Sequence, residues 1–356
     1  MPLPAAVSDI NAFTELELVP RATEVIFKDS PLFRRLYTSK NFKFDGGTVL
    51  QFPLTYAKLN GGAFVRGASF NTAYVQTTTA LQVAPKFYEV NITLYGTDDV
   101  INRGRNAAFS QVELLMSNAS QSMAEYMMRD IYADGQSSAD SGPLTTNTHM
   151  DGLLAWIDDG NASSGGYTTA TDVTKSFTAV GGLTRADLFT TAPSWGAATS
   201  TVAGAIGGIN SYVDRAFSTF SLNEVNKAYG KAWYGNKMVS LIVVDQAGWN
   251  KFWNSIQPNQ RYLDGESDLG KIGFQSFRFN SGSVVVDQYL PAQVMLGLNM
   301  DNLELQFSSS KKWQFGFTGF KEASNSVDLA GQFLFAGNLA HTNPRLCFKM
   351  TGSGLA

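Results

Sequence analysis

The chain is poor in the residues that most chemical sites are built from. Among its 356 residues it has one cysteine, Cys347, and two histidines, His149 and His341, with no His or Cys pair at metal-ligand spacing. A lone cysteine makes no internal disulfide, so stability is left to packing. Charge is scarce too: 16% of residues are charged, against about 25% in ordinary soluble domains. The net charge of −3 supplies no general attraction to nucleic acid or to an anionic membrane. The N-terminus, MPLPAAVSDINAFTELELVP, lacks a basic start followed by an apolar core. No later run reaches the ~18 consecutive apolar residues of a membrane span. These absences point to a chain made in a reducing cytoplasm, with no membrane partner.

Glycine, serine, threonine and aromatic residues fill the deficit of charge, which suits β-rich structure whose surfaces are covered by other subunits. At 44% hydrophobic, the chain is globular and long enough for two domains.

The organising stretch is Asn106 to Asp134. Ala108, Val112, Leu115, Ala119, Met123, Met127 and Ile131 recur at steps of three and four, one stripe of a helix. Glu125 and Arg129 are spaced for a same-face ion pair, and Gly135 suits a left-handed stop. A helix of this length spans on the order of 40 Å.

Residues 1–42 read as an arm, with Pro2, Pro4, Pro20 and Pro31 and only short helical pieces near Asn11 to Leu18 and Pro31 to Tyr37. From Arg21 to Lys43, six basic residues (Arg21, Lys28, Arg34, Arg35, Lys40, Lys43) face two acids (Glu24, Asp29), a local excess of 6 − 2 = +4. This is either a solvated face or a contact with an acidic neighbour or polyanion.

From Gly46 to Tyr95 the period becomes two. Leu50, Phe52, Leu54 and Tyr56 share one strand face, and Tyr88, Val90, Ile92 and Leu94 another, a pattern that predicts a long β-hairpin. Between them Gly61, Gly62 and Gly67 loosen the backbone, while Phe64, Val65 and Phe70 stay apolar at what should be an exposed tip. Such a limb folds back on its own domain or is completed by another subunit.

Residues 136–201 read as loops around short strands. A second unit follows. Val202, Ile206, Ile209, Val213, Phe217 and Phe220 suggest a helix, Met238 to Val244 a buried strand, and Gln246 to Ile256 a helix carrying Trp249 and Trp253. Strands are predicted at Ser283 to Asp287, Gln293 to Leu298 and Leu303 to Phe307. Alternation returns around Trp313 to Phe317, Val327 to Phe335 and Leu346 to Met350, strands expected to cover the long helix. The first unit is then interrupted by the second.

No catalytic signature is present. Neither G-x-S-x-G nor a phosphate-cradling G-x-x-x-x-G-K-[ST] occurs, and GGAFVRG does not run from a strand into a helix. Asp98 with Asp99 and Asp158 with Asp159 read as solvated turn formers. Cys347 reads as a small core hydrophobe, and Trp249 with Trp253 as core packing rather than a ligand shelf.

The order of these pieces resembles the major capsid protein of tailed bacteriophages, a fold shared with encapsulins. The resemblance rests on Phe27 to Leu54, the helix from Asn106, Met238 to Ile256, and Val327 to Gly352. It implies an α+β fold with an N-terminal arm (1–42), an extended loop (43–97), a peripheral domain with the spine helix (98–200 and 309–356) and an inserted axial α/β domain (201–308). It further implies a structural, non-enzymatic protein without cofactor that assembles in pentamers and hexamers into an icosahedral shell around double-stranded DNA. The DNA contact would be non-specific, and the product a virion capsid assembled in the host cytoplasm. The implied partners are other copies of the chain, a portal, a possible decoration protein, and a separately encoded scaffolding protein, since the arm begins almost at Met1. Inter-subunit contacts are expected at Lys58, Phe64, Arg66 and Phe70 on the loop and at Arg34 and Arg35 on the arm. Some members link a loop lysine covalently to a neighbour. Lys58 lies near the tip, though no asparagine or glutamate partner can be assigned. An encapsulin-like cage for cargo enzymes, or a monomeric hydrolase, are the alternatives.

Overall fold

The computed structural model describes residues 30–39, 41–55, 59–96, 105–133, 149–159, 179–185, 210–215, 217–256, 276–322 and 328–356. The long amphipathic stretch forms α2 (Arg105–Tyr132), a helix of 28 residues. α1 (Pro31–Ser39) precedes it. The buried face of α2 is wider than the predicted stripe, with Val112, Met116, Ala119, Met123, Ala124, Met127, Met128 and Ile131 all inaccessible. A broad apolar face buries more area against a sheet than a narrow seam does.

That sheet is six-stranded and drawn from distant parts of the chain. It contains β1 (Asn41–Phe44), β4 (Lys86–Leu94), β12 (Leu303–Ser308), β13 (Gln314–Phe317), β14 (Lys321–Glu322) and β15 (Leu329–His341). β15 is the hub: it pairs antiparallel with β12, β13, β14 and β4. Most of its residues are buried, so the strand reads as a nearly continuous apolar run rather than a clean alternation. α2 packs over β4, and the two contribute to one core with Phe333, Phe335 and Leu339 of β15.

The predicted pairing of the loop strands differs from the observed one. β2 (Leu50–Thr55) pairs with β3 (Thr78–Val83), while β4 joins β15 over Lys86 to Leu94. Period two identifies which side chains share a face, but a strand's partner is decided by long-range packing. Leu54 is buried as the pattern requires, and Tyr56 lies outside the described residues.

The second sheet runs β7-β16-β11-β8-β10-β9. Its strands are β7 (Tyr212–Asp214), β8 (Leu241–Val244), β9 (Ser276–Phe279), β10 (Gly282–Val286), β11 (Val294–Leu298) and β16 (Phe348–Thr351). All four residues of β8 are buried. Leu241 and Val243 face the core shared with α2, and Ile242 and Val244 face α4 (Leu222–Ala232) and α5 (Gln246–Ile256). A strand covered on both sides has no polar face to show. Ser221 caps α4 by accepting from the Asn223 amide.

Three expectations are corrected here. Where a helix was predicted around Val213, residues 212–214 form β7 and the helix starts at Leu222, behind the Ser221 cap; residues 201–209 lie outside the described residues. The Leu346 to Met350 segment does not cover α2, because β16 crosses to the second sheet between β7 and β11. Conversely β12, placed with the inserted segment, belongs to the first sheet.

Phe348 on β16 sits directly opposite Gly297 on β11, and a Cβ at Gly297 would lie 2.1 Å from its ring. Gly297→Ala should therefore destabilise the protein by about 1 to 3 kcal/mol through overpacking. Gly230→Ala, on the exposed face of α4 with nothing nearby, should stabilise by roughly 0.5 to 1 kcal/mol. Urea midpoints moving in opposite directions check the pair; equal shifts would contradict it.

Candidate inter-subunit surface

The stretch between β2 and β3 is the largest uncovered apolar feature of the described chain. Phe64 and Phe70 are each 67% exposed, Val65 78% and Tyr74 90%. The stretch nonetheless has internal order. The Phe64 and Phe70 rings meet edge to face at 5.1 Å, a favourable aromatic geometry. The Ala68 amide donates to the Val65 carbonyl at 3.0 Å, and Gly67 takes a positive φ of 88° in that turn. Asn60 Nδ2 donates to the Ala73 carbonyl at 3.0 Å, bridging the two sides. Arg66 stands exposed between the two rings in sequence.

The other expected contact residues are placed differently. Arg34 and Arg35 are half-buried on α1, which rests on β1, β12 and the Met300–Asn302 turn. They are thus partly built into the body, whereas Phe64, Arg66 and Phe70 project from it. Lys58 lies outside the described residues.

Sequence reasoning missed the polar seam that joins the two sheets and so positions this limb. Asp158 and Asp159, read as solvated turn residues, are both buried just after α3 (Leu153–Trp156). Lys349 Nζ of β16, fully buried, donates to Asp158 Oδ2 at 2.7 Å, and Arg215 Nη2 donates to Asp158 Oδ1 at 2.7 Å. Arg215 also holds Asp159, at 2.5 and 3.0 Å. Arg185 donates to the Asp158, Ala155 and Trp156 carbonyls and to Asn210 Oδ1. Burial pushes the Asp158 carboxyl up, but Lys349, Arg185 and Arg215 outweigh it and hold it down to about 2. Burial draws the Lys349 amine below its ordinary range, and Asp158 opposes that pull.

Two further links fix the C-terminal end of α2. Tyr132 Oη donates to Asp287 Oδ2 at 2.8 Å, and Ser30 Oγ donates to the same oxygen. Burial followed by the nearby carboxylate raises the Tyr132 phenol, while burial raises Asp287. Tyr88 Oη donates to Asp130 Oδ2 at 2.6 Å, His149 Nδ1 meets that oxygen at 2.7 Å, and the Met150 amide donates to Tyr88 Oη at 2.7 Å.

Among the described residues no group of three or more His, Cys, Asp or Glu could hold a metal ion, and no helix is long and apolar enough to cross a membrane. The one thiol–imidazole pair is sealed: His341 Nε2 lies 3.0 Å from Cys347 Sγ, both fully buried. Burial lowers His341 to about 3 and raises Cys347 to about 12. At neutral pH neither group carries the charge a thiolate–imidazolium nucleophile needs. Of the two tryptophans on α5, Trp249 packs in the core and Trp253 is exposed.

No family model and no curated protein sequence matches the chain. Solved structures do. The capsid asymmetric unit of cyanophage A-1(L) is similar over 91% of this chain and 92% of that one, with 12% identity and a TM-score of 0.58. The capsid of a native GTA particle is similar over 92% and 90%, with 7% identity and a TM-score of 0.53. At such identities the likeness is one of fold, and the α+β fold here is that of phage capsid subunits.

The sign of the Asp158 shift sets an acid response. Its stabilisation is complete above the ordinary carboxyl value of 3.8 and is lost as pH falls through about 2. Asp158→Asn should lower stability at pH 7 by about 3 to 5 kcal/mol, the usual cost of breaking a buried pair. It should also flatten the fall in unfolding free energy between about pH 4 and 2. Urea titrations across that range check both, and parallel curves would contradict them.

Proposed function

We propose that this chain is the structural subunit of an icosahedral shell enclosing the double-stranded DNA of a tailed bacteriophage, and that it works by burying surface rather than by turnover. The observation that carries this reading is the projecting, internally ordered and apolar Phe64 to Tyr74 limb on a body with a phage capsid subunit's fold. Transferring a large apolar side chain out of water stabilises by about 1.5 to 3 kcal/mol. Four such residues on a two-stranded ribbon lack a cover of their own, and an adjacent copy supplies it.

On this reading the arm is residues 1–42 and the extended loop 43–97. The peripheral domain is 98–200 with 309–356, and the axial domain 201–308. Sheet membership modifies the edges: β12 joins the peripheral sheet, and β16 threads into the axial one. Phe64, Arg66, Phe70 and Lys58 are the loop contacts, with Arg34 and Arg35 contributing where the arm leaves the body. A portal, a separate scaffolding protein and a decoration protein are partners, and the mature product is a virion. A net charge of −3 on the chain suits a wall that holds packaged DNA without gripping it.

Obligate interfaces of ~2,000 to 5,000 Å² give gross stabilisation of tens of kcal/mol at ~25 cal/mol per Å² of apolar area, much of it offset by ordering and association entropy. Assembly is therefore sensitive to a few anchors. The Phe64→Ser, Phe70→Ser double variant should keep the wild-type thermal midpoint, because these rings contact mainly each other. It should sediment as small species where the wild type, with its scaffold if one is needed, forms closed particles visible by negative stain. Wild-type protein that stays monomeric, or a double variant that assembles normally, would contradict the proposal. Particles carrying an enzyme in place of DNA would favour a cargo cage.

A further inference from the structure

At the base of the limb, between β2 and the second sheet, lies a groove of about 650 Å³. Pro53 and Leu54 of β2 form one wall, Tyr234 and Lys237 another, and Asn302 and Leu346 the floor. Two features mark it as a place for an extended peptide. Among the described strands β2 pairs only with β3, so its other edge presents backbone groups without a strand partner. It also carries Pro53, a residue confined to edge strands because it cannot donate to a ladder. An unpaired edge beside apolar side chains is the geometry used for strand addition, where backbone bonds give affinity and alternate side chains fill pockets.

The rim is basic. Lys237 lines the groove, and Lys231 and Arg345 adjoin it, the Arg345 guanidinium donating to the Lys231 carbonyl at 2.9 Å. Asp301, next to Asn302, is the acid closest in sequence to the floor. A complementary strand would be apolar on one face and acidic on the other.

The chain holds such a segment. Residues 1–20 contain three acids (Asp9, Glu15, Glu17) and no lysine or arginine. Within them Phe13-Thr14-Glu15-Leu16-Glu17-Leu18-Val19 alternates, with Leu16 and Leu18 on one side and Glu15 and Glu17 on the other. A helix over Asn11 to Leu18 would be far shorter than the ~12 to 15 residues that hold together alone in water.

The tether is long enough. Residue 30 starts at the head of α1, and α1 rests against the Met300–Asn302 turn, one end of which floors the groove. The nine residues of α1 span about 13 Å, while the twelve steps from Leu18 to Ser30 reach up to ~40 Å. A segment held this close has an effective concentration in the mM range.

We infer that residues 13–19 of the same chain lie as a strand along the free edge of β2, with Leu16 and Leu18 against Leu54 and Leu346 and with Glu15 and Glu17 toward Lys237 and Arg345. The arm thereby braces the root of the limb within one subunit, so the inference stands or falls apart from shell formation.

Hydrogen exchange on the unassembled full chain tests it, against a variant lacking residues 2–20 and against Glu15→Lys, Glu17→Lys. The expected result is at least tenfold faster exchange of the Gln51, Phe52, Leu54 and Thr55 amides in either variant, with Leu241–Val244 unchanged. Unchanged rates at β2 in both variants, or acceleration shared equally with Leu241–Val244 in both, would overturn the inference. Protection of β2 that exists only in assembled particles would assign the groove to a neighbour's arm and overturn the same-chain placement.

Discussion

The buried charge cluster around Asp158 is the constraint on which the arrangement of the molecule depends. Its members come from four places: the turn after α3, the residue following β6 (Leu183–Thr184), the end of β7, and β16. Lys349 and Asp158 are 191 positions apart in sequence. Placing these charges in the interior costs several kcal/mol each before pairing, so the cluster adds little to net stability. Its effect is on specificity: any packing of the sheets that separates Asp158 from Lys349 leaves a buried charge unmatched. The two sheets therefore have one acceptable register.

Around that seam the apolar cores follow. The second sheet is buried on both faces, toward α2 on one side and toward α4 and α5 on the other. The α2 end is anchored twice, by Tyr132 to Asp287 in the second sheet and by Asp130 to Tyr88 in the first. A body fixed in this way can carry a limb that is not itself part of the core. The Phe64 to Tyr74 stretch shows the opposite economy, with apolar side chains in solvent and a local turn for order. Rigid body and unsatisfied limb together are what repeated association of one chain requires.

Period alone made much of this legible. The stripe from Val112 to Ile131 located α2, the run LIVV located a strand covered on both sides, and Gln246 to Ile256 is observed with the predicted bounds. The exposed tip was legible because apolar residues among glycines have no nearby partner in sequence. Partner choice was not: nothing local tells β4 to leave the limb for β15, or β16 to leave the first sheet for the second. The Asp158 cluster was hidden for the same reason. Adjacent aspartates favour turns, and only the tertiary meeting with Lys349, Arg185 and Arg215 turns that pair into an interior site.

The central claim is that the Phe64 to Tyr74 limb is completed by another copy of the chain. A cryo-electron microscopy reconstruction of purified particles tests it most directly. The expected map is an icosahedral shell in which density for Phe64 and Phe70 lies against an adjacent subunit, with the two-sheet body unchanged. A map in which the limb lies on its own body, with no neighbour within contact distance of those rings, would contradict it.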